Sequence, residues 1–571
     1  MYRKNNNRED QIHLNSLIYF NNHLTLKFAV EELRRLMKKA GLQVNIYQNP
    51  DLSTLKEFKR IFIMLQDEFN SSSFSKENLF IEKDGFAIYE NGKETWIIGK
   101  EERSTLYGVY HFCEKRLGYN WINLDEEHSK KSNLAQGNNN WNINEPAFKR
   151  RGNILETIND PIYISKLIDW GVKNGFNEFF FTFTLWDEIG KYIREELEKR
   201  SVNVTLGGHS LRFLLEAAGQ SSNESGDFFI AESPLQKLVI EEIVNICKKT
   251  PVVTRISLWP EDIGISEEKF SDFMHIYIVF AERLRIALKA EKLRVEVEHI
   301  VYNAGLVWNM LERNEKVIPS NQVDILYAYW GRDYSQSIDN KTAEQTRATN
   351  ALNDWKKQAE TNQRLITVLE YYSDHFMLSE LFPPLVKRID EDVKAYRKLK
   401  IDGLLNLIVP THEKGQTSVM MKTYPWKWIQ QLNNYFYAGL SWGKSRDQLW
   451  KQFGSTLGPD NERYIEVLLE LEKIVSKHTK WNVSLFPARV VDPEKVGHPN
   501  DARWIIKFLD EIILFFNKQD IEVDMELLMV QNKNNTASFS NEEMLLIYFY
   551  YLKESAEFYK KEWTKLLEGT K

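Results

Sequence analysis

Between residues 150 and 408 eight short β-prone runs recur, each followed by a longer stretch with apolar residues at helical spacing. The runs are Arg150 to Leu155, Glu178 to Thr184, Val202 to Leu206, Val252 to Leu258, Arg294 to Val301, Val323 to Tyr329, Leu365 to Leu369 and Gly403 to Ile408. Strands joined by helix-length crossovers lie parallel, since only antiparallel neighbours can be joined by a tight turn. Eight such units are what a (β/α)8 barrel needs. A doubly wound open sheet uses the same units, but no Gly-x-Gly-x-x-Gly follows any of these runs. The expected fold class is therefore α/β with a TIM barrel at its centre.

The flanks have a different character. From Gln11 to Asn144 strand-like and helix-like runs alternate without the regular βα spacing: Ile12 to Phe20, Val44 to Tyr47 and Ile61 to Leu65 read as strands, and Leu24 to Ala40 reads as a helix stopped by Gly41. Asp84 to Ile98 reads as a hairpin turned at Asn91-Gly92, and Arg103 to Leu117 as a second helix. Together they predict a small α+β sandwich over residues 1–145. Pro146 marks the boundary with a barrel over 146–415. After Gly415 strand-like runs disappear, and helical stretches predict an all-helical C-terminal domain over 416–571.

Composition narrows the partners. Across 571 residues the net charge is only −6, and no window concentrates Lys and Arg, so a nucleic-acid face is not expected. No run of about 18 apolar residues occurs, and the first ten residues lack an apolar targeting segment. A cytoplasmic protein with no membrane partner is the expectation. Cys113 and Cys247 sit in partly apolar, helix-like contexts and read as buried free thiols. Aromatic residues make up 13% of the chain, which suits both packing and the stacking of rings on sugars.

In a barrel the active site is built where strands end, so the residues after each run matter most. Here they are Glu156; Trp186-Asp-Glu188; Gly207-Gly-His-Ser210; Trp259-Pro-Glu-Asp262; Glu298, His299 and Tyr302-Asn303; Tyr329-Trp-Gly-Arg-Asp-Tyr334; Glu370-Tyr-Tyr-Ser-Asp-His375; and Thr411-His-Glu413. Carboxylates after the fourth and seventh runs, Glu261, Asp262 and Glu370, can flank a scissile bond across the mouth. Glycoside hydrolysis needs such a pair, one acid for the leaving oxygen and one carboxylate on the anomeric side. Alternation along the fourth run points Ser257, Trp259 and Glu261 inward. Glu370 also reads as a buried partner for Arg332. Glu298 reads as a substrate ligand or alternative acid near the mouth, or as a buried ion-pair partner of Arg151 or Arg294. Gly207-Gly208 lets the backbone approach a ligand while His209 donates to a hydroxyl. Arg332 suits a carboxylate or sugar hydroxyls, or a loop-ordering ion pair. Trp186, Trp259, Trp330, Tyr302, Tyr334, Tyr371 and Tyr372 would supply stacking walls. His209, His299, His375 and His412 lack ligand spacing, and no metal or organic cofactor is expected.

Several short motifs in order carry a resemblance. The stretch from Asp84 through Leu106-Tyr-Gly-Val-Tyr110 to Gly118 resembles the α/β domain that precedes the barrel in β-hexosaminidases and α-glucuronidases. Adding Phe148-Lys-Arg-Arg151, Gly207-Gly-His-Ser210, Pro260-Glu-Asp262, Arg332-Asp-Tyr334, Trp355, Glu370-Tyr-Tyr372, Leu432-Asn-Asn-Tyr435 and Leu440-Ser-Trp442, the chain resembles the bacterial domain of unknown function 4838, which includes glycoside hydrolase family 163. The resemblance implies a retaining β-N-acetylglucosaminidase-like activity on an oligosaccharide or glycan. In the hexosaminidase group an Asp orients the substrate acetamide while an adjacent Glu protonates the leaving group; here the order is Glu261 then Asp262. Arg151, with its partner Glu298, is placed among the substrate-binding residues. Two other readings stand beside this one: an α-glucuronidase whose Arg332 clamps the sugar carboxylate, and a catalytically silent carbohydrate-binding barrel.

Overall fold

The computed structural model describes residues 14–55, 59–75, 78–124, 127–128, 139–220, 228, 230, 232–260, 273–304, 308–313, 317–329, 332, 334–374, 381–409, 426–477, 499–519, 521 and 539–569. The chain divides into two compact units, residues 1–149 with 166–175 and 195–202, and residues 150–165 with 176–194 and 203–571.

The first unit is built on a six-stranded sheet. Its strands Gln43–Gln48, Leu14–Tyr19, Lys59–Leu65 and Glu94–Gly99 run parallel, and Phe86–Asn91 and Trp141–Asn144 complete the edge in antiparallel fashion. The expected hairpin is present: the Asn91 side chain accepts from the N–H groups of Lys93 and Glu94 at 3.1 and 2.8 Å and closes the turn. Ile18, Phe62, Met64, Trp96 and Ile98 pack as one cluster, with the Phe62 and Trp96 rings stacked 3.9 Å apart. The helix Glu102–Arg116 comes close to the sheet at Gly108, where a Cβ would lie 2.7 Å from Ile97 Cγ2. That contact explains the glycine within Leu106-Tyr-Gly-Val-Tyr110.

The second unit contains a closed barrel. Its eight strands are Arg150–Leu155, Glu178–Thr182, Asn203–Gly208, Val253–Leu258, Glu296–Ala304, Asp324–Ala328, Ile366–Asp374 and Gly403–Val409. Each pairs in parallel with the next, and the eighth pairs with the first through Gly403↔Arg150 to Ile408↔Leu155. All eight expected strands are present, most within two residues of the sequence-based bounds. In five of them every residue is buried, as strands covered on both faces require.

Charged side chains fill the lumen at its base. Arg150 donates to both oxygens of Glu178 at 2.8 and 2.6 Å, to Glu298 at 2.6 Å and to Thr367 at 2.8 Å. Thr205 donates to Glu178, and Arg255 pairs with Asp324, each at 2.6 Å. Burial pushes the Glu178 carboxyl up, but the Arg150 and Arg255 guanidiniums and the Thr205 hydroxyl together outweigh it and hold the group below the usual range. Outside the barrel, His299 packs against Tyr277 and Trp355, and burial pushes it down to about 4, so it stays neutral.

The helix Trp426–Trp442 packs on strands seven, eight and one. It buries polar side chains against them. Asn434 exchanges two amide hydrogen bonds with Asn153 at 3.0 and 2.9 Å, and Tyr437 donates to the Leu404 carbonyl at 2.6 Å. Further along, Glu472 of the helix Asn461–Ser476 accepts from the N–H groups of Lys387 and Arg388 at 3.0 Å each. These are orphan donors in the first turn of the helix Val386–Lys398, and the two carboxyl oxygens satisfy them. Among the described residues no helix is long and apolar enough to cross a membrane. Both cysteines are free and buried.

Two stability measurements test these contacts. Arg150→Met is expected to cost about 3 to 5 kcal/mol, because Glu178 and Glu298 would remain buried without their main partner. An unchanged urea midpoint would rule this out. Burial pushes the Glu472 carboxyl from its ordinary 4.5 up to about 7, so its contribution is greatest below pH 4.5 and is lost as the pH rises through 7. The stability of the wild type relative to Glu472→Gln is therefore expected to fall between pH 4.5 and 7 and to be level outside that window.

Candidate active site

Alternation, anchored at the base, decides which side chains reach the mouth. Arg150 lies in the lumen, so Gly152, Ile154 and Glu156 follow on the same face; likewise Glu178 places Phe180 and Thr182 there. At the end of strand three, Gly208 has φ +67°, and a Cβ there would lie 2.9 Å from Thr182 Cγ2 and 3.6 Å from Glu156 Oε1. A side chain at that position would crowd the mouth beside a half-exposed carboxylate. Glu156 is thus a mouth residue, although the sequence reading gave it no role.

Beside it lies a polar and aromatic bracket. His209 Nδ1 is 2.7 Å from the Pro260 carbonyl oxygen; since a carbonyl can only accept, Nδ1 carries the proton in that contact. Tyr302 donates to the same oxygen at 3.3 Å. The His209 ring is 5.3 Å from the Trp259 ring, edge to face, and 6.1 Å from Tyr302. Trp259 in turn meets Phe180 at 5.2 Å and donates to the Ser257 hydroxyl at 3.0 Å. The structure therefore gathers His209, Trp259 and Tyr302 at the ends of strands three, four and five. Glu261, Asp262 and Trp330 lie outside the described residues, as do His375 and His412.

Glu370 takes the second of its two sequence readings. It accepts from Arg332 Nη1 and from the Tyr334 hydroxyl, each at 2.6 Å, and also from the Tyr396 hydroxyl. Tyr396 belongs to the helix Val386–Lys398, so the carboxylate points out of the barrel into the layer behind strand seven. Arg332 Nη2 also donates to Asp392 at 2.8 Å, and Asp392 accepts from Tyr372 at 3.1 Å and from the Ile338 N–H at 3.0 Å. Burial pushes the Asp392 carboxyl up to about 6, against the pull of Arg332. The Tyr334 hydroxyl accepts from the Tyr371 N–H at 3.2 Å. This cluster fastens the chain that follows strand six to strand seven. Asp392 and Tyr396, one helical turn apart, are its members that went unnoticed in the sequence; their spacing on one helix face was the available signal.

Other expected ligands are also placed away from the mouth. Glu298 lies in the base layer, and its partners are Arg150 and Arg255 rather than Arg151 or Arg294. Arg151, next to lumenal Arg150, faces outward over the Trp442 ring at 5.2 Å. Trp186 sits in the helix Phe183–Glu198, with its ring 5.5 Å from outward-facing Phe181. Arg332 and Tyr334 belong to the Glu370 cluster behind strand seven, so Arg332 takes the loop-ordering ion pair of its two sequence readings and Tyr334 is engaged by Glu370. Tyr371, between outward-facing Glu370 and Tyr372, is left on the lumen side. Among the described residues no group of three His, Cys, Asp or Glu is arranged to hold a metal.

Comparison with known proteins agrees with this architecture. The family model described as "Glycosyl hydrolase family 67 N-terminus" matches residues 2–112. No curated protein sequence matches the chain. Among solved structures, a GH138 enzyme targeting pectin rhamnogalacturonan II aligns with a TM-score of 0.59 at 14% identity, covering 97% of this chain and 70% of its own. A family GH115 4-O-methyl-α-glucuronidase with specificity for decorated arabinogalactans aligns with a TM-score of 0.58 at 12% identity, covering 97% and 72%. The β-N-acetylhexosaminidase from Bacteroides fragilis aligns at 0.46 and 12% identity, covering 73% and 86%. What the chain shares with the first two is the fold.

The Glu370 cluster predicts a stability defect. Glu370→Ala is expected to destabilise the protein by about 3 to 5 kcal/mol, since it takes from buried Arg332 one of its two carboxylate partners and leaves Asp392 and the Gln336 carbonyl, and Glu370→Gln by less. Denaturant titration of both variants checks this. A fully stable but inactive Glu370→Ala would instead return Glu370 to the chemistry.

Proposed function

We propose that this protein is a glycoside hydrolase that cleaves a pyranoside, with a β-N-acetylglucosaminide as the substrate class. The observation that carries the reading is the end of strand four. Trp259-Pro260 reaches the barrel mouth there, the Pro260 carbonyl is held by His209 and Tyr302, and the next two residues in the sequence are Glu261 and Asp262. In this reading Glu261 is the general acid that protonates the leaving oxygen, and Asp262 orients the substrate acetamide for attack on the anomeric carbon. Trp259, Tyr302 and Tyr371 supply apolar walls, and the backbone at Gly207-Gly208 admits the sugar ring beside Glu156.

The fold shared with two glycosidases supports the reaction class. The choice of sugar rests on the sequence resemblance. The α-glucuronidase reading is weakened, because both charged faces of Arg332 are engaged by Glu370 and Asp392 and its guanidinium is buried behind strand seven. A silent sugar-binding barrel would keep the aromatic walls but would not turn over.

A panel of p-nitrophenyl glycosides separates these readings. The wild type is expected to hydrolyse the β-N-acetylglucosaminide in preference to the glucuronide. Glu261→Gln is expected to lose about 10²- to 10⁴-fold in kcat, and the loss should shrink as the leaving group becomes more acidic and needs less protonation. Full activity in Glu261→Gln would remove that residue from the mechanism.

A further inference from the structure

Strand seven changes face partway along. Its pairing with strand eight runs Thr367↔Gly403, Val368↔Leu404, Leu369↔Leu405 and Glu370↔Asn406, and then resumes at Ser373↔Ile408 and Asp374↔Val409. Three steps on strand seven match two on strand eight. The extra residue is a β-bulge, a feature that re-aims the side chains beyond it.

Contacts on either side show the change of face. Before the bulge, Thr367 meets Arg150 in the lumen, while Glu370 and Tyr372 point outward to Tyr396 and Asp392. After it, Ser373 points outward as well: its hydroxyl accepts from Asn406 at 3.0 Å and donates to the Gln430 carbonyl at 3.3 Å, on the helix Trp426–Trp442. The next residue, Asp374, then faces the lumen. Strand eight supports this independently. It pairs with strand one without interruption, and a Cβ on Gly403 would lie 2.6 Å from Arg150 Cβ and 2.9 Å from Thr367 Oγ1, which puts Gly403 on the lumenal face. Counting by twos, Val409 is lumenal, and Asp374 is its partner.

Resting on the glycosidase reading above, we propose that Asp374, not Glu370, is the carboxylate that strand seven delivers to the active site, and that it stabilises the positive charge at the anomeric carbon. The acetamide oxygen bonds to the anomeric carbon as the glycosidic C–O bond breaks, the electron pair of that bond going to the leaving oxygen, which takes its proton from the general acid. Water then adds to the anomeric carbon, displacing the acetamide oxygen, and returns a proton to the acid. Asp374 is only 3% exposed, and an anion shielded from water stabilises developing charge far more than a solvated one.

The test uses the full chain, with Asp374→Asn as the isosteric variant and Asp374→Ala as the variant that opens space. Both are expected to lose about 10³-fold in kcat on the aryl glycoside that the wild type hydrolyses best, with a smaller change in KM. Sodium azide is expected to restore part of the rate to Asp374→Ala by supplying an anion. A protonated iminosugar inhibitor should bind the wild type at least about tenfold more tightly than Asp374→Asn. Turnover within about threefold of wild type in both variants would overturn the assignment and leave the glycosidase reading standing. So would a loss of turnover with unchanged iminosugar affinity and no azide response, which would mark a structural role. If the wild type hydrolyses no glycoside in the panel, the glycosidase reading falls and takes this assignment with it.

Discussion

The second unit depends on how a closed sheet fills its own lumen. Side chains alternate between lumen and helix layer, so one buried group at the base commits every second residue above it. Arg150 does this. Its guanidinium is satisfied by Glu178, Glu298 and Thr367 from strands two, five and seven, and Arg255 and Asp324 extend the layer. Such a layer is costly to bury and tolerates no loss of a partner, so it specifies register rather than adding stability. Strands one, two and four then present Glu156, Thr182 and Trp259 at the mouth without further instruction.

A second polar cluster governs the seventh strand. Arg332 lies between Glu370 and Asp392, with the hydroxyls of Tyr334, Tyr372 and Tyr396 completing the acceptors' bonds. It lies behind the sheet, and among the described residues it meets the mouth side through the backbone, where the Tyr371 N–H donates to Tyr334. Charged residues near the mouth of this barrel are thus divided between lumen and helix layer, and the face of the strand they occupy decides which.

The sequence was informative where physics is periodic and silent where it is not. The eight strands were legible because short β-prone runs separated by amphipathic helices have few other solutions. The lumenal parity of Ser257 and Trp259 followed from counting by twos, and the nearness of His209 and Tyr302 to the strand ends from their place after the third and fifth runs. Glu298 was misplaced because its height in the barrel depends on which residue starts the strand, and Glu296 to Ala304 runs beyond the expected end at Val301. Glu370 was ambiguous for a different reason. A β-bulge has no compositional mark in Glu-Tyr-Tyr-Ser-Asp, and only the pairing with strand eight reveals the extra residue. Trp186 was drawn toward the site by its place after the second run and Arg151 by the motif Phe148-Lys-Arg-Arg151, and packing against Phe181 and Trp442 accounts for them.

Glu472 has a consequence for how this architecture can be rearranged. It reaches from the helix Asn461–Ser476 to the N–H groups that open the helix Val386–Lys398, and that same helix carries Asp392 and Tyr396. The helices after the barrel are therefore not an appendage that could be exchanged between scaffolds. A chimera joined after strand eight would inherit a seventh helix with a bare first turn, and the disturbance would travel along that helix to Arg332. The natural unit of exchange is the barrel together with the helices that follow it.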